Sequence, residues 1–173
     1  PTDSSGRVTA FLEKMDKPVT NQINAGCYVF NPRVLDSIPL DSVVSVERET
    51  FPLLVKNGAA VYGYVENSYW VDIGTPQALM NASCEIVKRH SDFLIMPGSN
   101  VDPSAQLTGG SSIAPGVDVA AGVHIQSSIV ESDCSIGLAA QISNSFISRG
   151  TKVAAGAKIE SSFVTNQEIV SIT

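Results

Sequence analysis

Residues able to do polar chemistry sit in a few short stretches of this chain. In Tyr69-Trp-Val-Asp-Ile-Gly-Thr-Pro76, which holds the one tryptophan, Asp72 is the sole charge. Tyr69, Trp70, Val71 and Ile73 read as a short buried strand, and a carboxylate among them must be paired, hydrogen-bonded or bound to a metal to offset its lost hydration. Gly74 allows a sharp turn. Thr75 and Pro76 then open a helix, with a capping hydroxyl and a first-turn residue that needs no N–H partner. An acid at a strand end facing a helix start is a common site geometry in α/β proteins. Upstream, Glu13 and Lys14 set an acid and a base side by side, for which a solvated strand end is the plain reading. Asn24 precedes Ala25 and Gly26, small residues that let a ligand or another backbone come close. Of the two histidines, His90 has no partner at metal-ligand spacing and reads as an exposed helix end. His124 stands alone in its region.

Several elements must position these residues. Strands are expected over Val8–Lys14, Gln22–Phe30, Ala59–Val65 and Tyr69–Ile73. Asn31 and Pro32 open a short helix that Pro39 ends, and Ser45 opens another whose first turn holds Glu47 and Glu49. Pro52 should kink or split that second helix. A third helix runs from Pro76 to about His90, with Leu79, Ala82, Ser83, Ile86, Val87 and His90 on one stripe, and Met80 and Cys84 as fillers. This order describes an α/β arrangement with an incomplete sheet.

Composition narrows the function classes. The 173 residues are 43% hydrophobic, enough for two small cores, and a formal charge of −6 with only 11 scattered basic residues argues against a nucleic-acid partner. No apolar run approaches the roughly 20 residues of a membrane span, so no membrane partner is expected. Three distant cysteines, Cys27, Cys84 and Cys134, indicate neither a disulfide framework nor a metal pair, and fit a reducing cytoplasm. The N-terminal Pro-Thr-Asp-Ser-Ser-Gly reads like the middle of a domain rather than a leader.

After Phe93 the pattern changes. Val101, Leu107, Ile113, Val119 and Ile125 follow one another every six residues, and the step then widens into a 17-residue period in which Ile125, Ile142 and Ile159 align. Ile136, Val153 and Val170 recur at a fixed offset within it. Neither a helix nor an alternating strand has this period, whereas three six-residue faces per turn of a parallel β-helix do. The residues two before each inward position, among them Ser111, Val117, Cys134 and Thr151, are mostly small, as a tight triangular coil requires. About four coils are expected, ending at Ile169, Val170 and Ile172 with no polar cap, so the β-helix is the expected route to a homo-oligomer.

In order and spacing, Phe11-Leu-Glu-Lys with Pro18, Ile23-Asn-Ala-Gly-Cys-Tyr-Val-Phe, Ser45-Val-Glu-Arg-Glu-Thr-Phe-Pro, Trp70-Val-Asp-Ile-Gly-Thr-Pro and the hexapeptide tail resemble the sugar-1-phosphate nucleotidyltransferases. The resemblance implies an α/β fold: a partial, Rossmann-like nucleotidyltransferase sheet over residues 1–92, then a left-handed parallel β-helix of hexapeptide repeats over 93–173. It implies a Mg2+-dependent enzyme whose partners are a nucleoside triphosphate and a sugar 1-phosphate, nearest to those using GTP and mannose 1-phosphate. Asp72 would hold magnesium and act with Lys14 in catalysis, Lys14 meeting the sugar phosphate. Glu13, Asn24 and Gly26 would bind the sugar. The family's glycine-rich half is not in these residues, so the chain alone is expected to be inactive. Met15 and Asp16 stand where family members often have proline directly after the lysine. Thymidylyl, uridylyl or adenylyl transfer to glucose 1-phosphate is the alternative within the class. Outside it stand a non-catalytic regulator assembling through the β-helix and a β-helix acyltransferase using His124.

Overall fold

A computed structural model describes residues 1–12 and 16–172 and divides into two compact units, Pro1–Trp70 and Val71–Thr173. In the first unit, caps and prolines decide where helices form. Asn31 accepts a hydrogen bond from the Arg33 N–H and Pro32 follows, giving a 3-10 helix over Pro32–Ser37. Ser45 caps a π-type turn, Val46–Thr50, which runs into helix α1, Phe51–Lys56. The expected split at Pro52 is present: proline cannot donate back along the helix, and the preceding turn is wound wider. Phe51, only 5% exposed, lies at the centre of a ring cluster with Phe11, Tyr28 and Phe30, at centroid distances of 4.8, 4.9 and 5.7 Å.

The four strands expected before residue 74 are not formed among the described residues. Val8–Leu12, Gln22–Phe30, Ala59–Val65 and Tyr69–Ile73 are extended or irregular, and their pairing is limited to isolated bridges of Thr2 with Val8 and Arg7 with Tyr62. β-branched and aromatic residues fit a pleated surface, but a strand exists only where a neighbour completes the ladder. Nor is the Tyr69–Ile73 segment buried: Tyr69, Trp70, Val71 and Ile73 are between 39% and 54% exposed.

The second unit is a parallel solenoid with one helix on its flank. Its first coil is β1 (Phe93–Ile95), β2 (Asn100–Val101) and β3 (Gln106–Thr108), and the second is β4 (Ser111–Ile113), β5 (Asp118–Val119) and β6 (His124–Gln126). The third is β7 (Ile129–Val130), β8 (Ser135–Ile136) and β9 (Gln141–Ser143), and the fourth β10 (Phe146–Ile147), β11 (Lys152–Val153) and β12 (Lys158–Glu160). β13 (Ser162–Val164) and β14 (Ile169–Ser171) follow. Each side of the triangle is a parallel sheet that pairs a strand with its equivalent one coil on. The register stacks like on like in three columns. Leu107, Ile125, Ile142 and Ile159 form one, Val101, Val119, Ile136 and Val153 the second, and Ile95, Ile113, Val130, Ile147 and Val164 the third. From Leu107 onward these side chains are at most 8% exposed, so the six-residue rhythm is the inward face of the coils.

One member expected inward is not. Val170 lies in β14, which reverses after a turn closed by the Thr165 N–H donating to the Glu168 carbonyl, and pairs antiparallel with β13. Val170 therefore sits opposite Phe163 and is 46% exposed, and β14 forms the antiparallel edge of the sheet that holds β13.

Ser128, Ser145 and Ser162 recur every 17 residues, are at most 8% exposed, and each donates to a carbonyl two residues earlier. The hydroxyl of one coil accepts the backbone N–H of the serine in the next: Ser128 N to Ser111 Oγ at 3.2 Å, Ser145 N to Ser128 Oγ at 3.1 Å, Ser162 N to Ser145 Oγ at 3.1 Å. The residue before each of these three serines, Ser127, Asn144 and Ser161, is left-handed, which leaves the following amide turned inward and in need of that acceptor.

Helix α2 (Pro76–Lys88) starts from Thr75, whose hydroxyl accepts the Ala78 N–H, and packs on β1, β4 and β7. The buried residues are Met80, Ala82 and Cys84, while Leu79 and Ile86 of the expected stripe are 41% and 54% exposed. The stripe is rotated because the helix meets the solenoid through its backbone at Cys84. A β-carbon on Gly110 would overlap the Cys84 carbonyl. Gly109 and Gly110 are also what make the first coil one residue longer than the rest, and both donate to Asp92. Gly110→Ala should therefore cost about 2 kcal/mol more than Gly150→Ala, which has the same left-handed backbone but open space around it. Urea denaturation of the two variants checks this; equal losses would mean that the helix does not need this seat.

Candidate functional site

In the first unit, Asn24 lies in an exposed stretch and is held by its own neighbourhood. Its Oδ1 accepts the Gly26 N–H at 3.1 Å, and its amide nitrogen donates both to the Tyr28 hydroxyl and to Glu47 Oε1. Tyr28 in turn donates to the same Glu47 oxygen at 3.0 Å. Local structure produces this cluster: Gly26 takes the left-handed conformation that returns its N–H to Asn24, and the Tyr28 ring stands edge-on to Phe51. The capped turn that begins at Ser45 brings Glu47 in from the same side, because it runs directly into Phe51. Burial raises the Tyr28 pKa above its ordinary value, opposed by the hydrogen bond from Asn24, while the hydrogen bond to Glu47 and its charge add to the rise. The phenol stays protonated and keeps donating.

In the second unit, Asp72 is exposed, and its Oδ1 accepts the Gly74 N–H at 3.1 Å in a two-residue turn ahead of the Thr75 cap. The expected burial of Asp72 is thus corrected; of the three ways of holding its carboxylate, an ion pair, a hydrogen bond or a metal, the structure shows the hydrogen bond, made locally, with hydration at the exposed side. Next to this turn, Ile73, Gly74, Thr75, Pro76, Leu79, Phe146 and Phe163 line an apolar groove of about 300 Å3, floored by the two stacked phenylalanine rings. Among the described residues, no group of three or more acidic, cysteine or histidine side chains could hold a metal ion by itself. Asp72 can supply one carboxylate, which suits a cation that keeps water and phosphate oxygens for its other positions.

Of the residues singled out by sequence, Asn24 and Gly26 are brought together by a direct hydrogen bond, and Asp72 belongs to the other unit. Glu13 and Lys14 lie outside the described residues. Tyr28 and Glu47 were not identified from sequence as site residues. Glu47 read as an acid in a helical first turn and Tyr28 as part of an expected strand, and both lie within the motifs that carry the family resemblance without a binding role of their own. His124 is exposed on β6, where the register sets it between Gln106 and Gln141 rather than beside a base or acid partner. None of the described helices is long and apolar enough to cross a membrane.

Comparison with known proteins bears on what these residues serve. The sequence profile of the nucleotidyl transferase family matches residues 1–89. A mannose-1-phosphate guanylyltransferase of Mycobacterium tuberculosis is 41% identical over 141 residues, which is 75% of this chain and 39% of that protein. Mannose-1-phosphate guanylyltransferase 1 of Arabidopsis thaliana is 33% identical over 143 residues, 78% of this chain and 39% of that protein. A mannose-1-phosphate guanyltransferase of Candida albicans is 35% identical over 115 residues, 61% of this chain and 31% of that protein. The chain thus spans about two fifths or less of the curated relatives it matches. By the match over residues 1–89, which is more than half of its length, and the 41% identity to the first of these relatives, the chain belongs to the nucleotidyl transferase family.

Proposed function

We propose that these residues form the sugar-phosphate side and the β-helix of a transferase that joins GTP to mannose 1-phosphate, releasing pyrophosphate and giving GDP-mannose. The observation that carries this reading is the match of residues 1–89 to the nucleotidyl transferase family, together with relatives named for mannose 1-phosphate over most of the chain. Residues 1–92 are read as the C-terminal part of the transferase domain and 93–173 as the β-helix. Exposed free Cys27 and buried free Cys84 and Cys134 support placement in a reducing cytoplasm.

In this reading the protein's own groups bind and align. Glu13, Asn24 and Gly26 stand on the sugar's side of the site, and Lys14 meets its phosphate as a point charge. Asp72 offers hard carboxylate oxygens to magnesium, which when bound would neutralise charge building on the phosphates. The rate would come from setting the sugar phosphate oxygen in line with the α-phosphorus, since little covalent work is asked of the side chains.

The direct test is pyrophosphate release from GTP and mannose 1-phosphate with magnesium by the full-length protein that carries these residues, with other nucleoside triphosphates and glucose 1-phosphate as comparison. Turnover only with a different pair would replace the substrate reading. In that protein Asp72→Asn should lower kcat by about a hundredfold or more, because the neutral amide binds a divalent cation weakly, with the fold unchanged by circular dichroism. The 173 residues alone should release no pyrophosphate above background; turnover at an ordinary enzymatic rate would overturn their assignment to one side of the site. Ile169 and Val170, 65% and 46% exposed on the terminal strand, support self-association through the solenoid. Light scattering should give a mass above that of one chain, and a monomer at high concentration would contradict it.

A further inference from the structure

We propose that Glu47, rather than Asn24, presents the polar atom that reads a sugar hydroxyl, and that Asn24 and Tyr28 are positioning residues that hold its carboxylate. This rests on the reaction proposed above and deepens it.

The inference comes from counting donors and acceptors. A side-chain amide has two N–H donors and one carbonyl oxygen with two lone pairs. In Asn24 both donors are engaged, one by the Tyr28 hydroxyl and one by Glu47 Oε1, and one carbonyl lone pair takes the Gly26 N–H. The orientation of this amide is fixed chemically, because turning it over would set its oxygen against the Glu47 carboxylate and its NH2 against the Gly26 N–H. Asn24 therefore has no N–H left to give a ligand. Tyr28 donates its one proton to Glu47 at 3.0 Å.

Glu47 is the group with capacity to spare. Its Oε1 takes two hydrogen bonds, from Asn24 and Tyr28, and no hydrogen bond from the described residues falls on Oε2. A carboxylate gripped at one oxygen by two donors and open at the other is an oriented acceptor, and the donor that suits it is a hydroxyl. An anionic phosphate would be repelled, so the ligand part facing it is the sugar ring. Its stem is half-buried and its backbone is fixed by the Ser45 cap: the Ser45 hydroxyl accepts the Arg48 N–H, and Glu49 accepts the Ser45 N–H. The Phe51 ring cluster anchors the Tyr28 side of the network. A site that meets a hydroxyl with a preoriented charged acceptor discriminates strongly against a sugar lacking that hydroxyl, since the carboxylate is then left without its donor.

The test uses the full-length protein that carries this chain, with mannose 1-phosphate and its 2-, 3-, 4- and 6-deoxy analogues at saturating GTP. The wild type should prefer the parent sugar over one deoxy analogue in particular by roughly ten- to a hundredfold in kcat/KM, the range of a hydrogen bond to a charged group. In Glu47→Gln that single preference should collapse to a few-fold, with the KM for GTP unchanged and the other analogues keeping their ratios. Tyr28→Phe, which removes one of the two donors on Oε1 but keeps the ring packing, should weaken the same preference only in part. A uniform fall across all analogues in Glu47→Gln would make Glu47 a structural residue and overturn the inference while leaving the reaction standing. A preference lost in Asn24→Ser but kept in Glu47→Gln would return the hydroxyl contact to Asn24. A wild-type protein that turns over no hexose 1-phosphate would overturn both readings.

Discussion

The constraint on which the second unit depends is the parallel register of its coils. Because each strand pairs with its equivalent one turn later, a residue type that solves a problem once must solve it in every coil. Three aliphatic columns fill the triangle, and the column of serine hydroxyls deals with amides that the left-handed corners turn inward. Each such hydrogen bond contributes about 1 kcal/mol net, but leaving the buried N–H without it would cost more, so the serines act as obligatory corner pieces. The one departure from the period, the Gly109–Gly110 pair, falls at a corner, where an extra residue leaves the aliphatic columns in step and gives α2 its place.

The first unit is organised by a single ring rather than by a repeat. Phe51 gathers Phe11, Tyr28 and Phe30, and through them the Asn24 segment and the Ser45 turn are held in one relation. An aromatic core of this size supplies packing at few positions and leaves the polar groups around it largely exposed. Tyr28 serves both ends: its face is packing, and its hydroxyl belongs to the polar network.

Much of the solenoid was legible in the sequence because neither a helix nor an alternating strand has a period of six or 17, and two of the three inward columns could be named in full, while Val130 and Ile147 of the third were not singled out. Val170 kept the spacing but lost the environment, since the reversal at Thr165–Glu168 is a local turn that periodicity cannot register. The strands before residue 74 were read from propensity alone, which says nothing about whether a partner strand is present. Burial of Asp72 was inferred from apolar neighbours in sequence, and those neighbours are themselves largely exposed. Of the hydrogen-bonded cluster in the first unit, Asn24 and Gly26 were singled out by their residue types, while Glu47 looked like a helix-start acid. Its link to Asn24 crosses more than 20 residues of chain and is visible only in three dimensions.

The strand that folds back at the end of the solenoid gives the coil stack a direction of growth. A column of identical rungs measures length in whole turns, so duplication of one 17-residue segment in the middle would add a layer while each neighbour met the partner it already has. At the finish, β14 runs against the grain and presents an antiparallel edge that another parallel rung does not match. Copies of the repeat are therefore admissible inside the stack, whereas a parallel rung laid against β13 would first have to displace the reversed strand from that one side of the triangle.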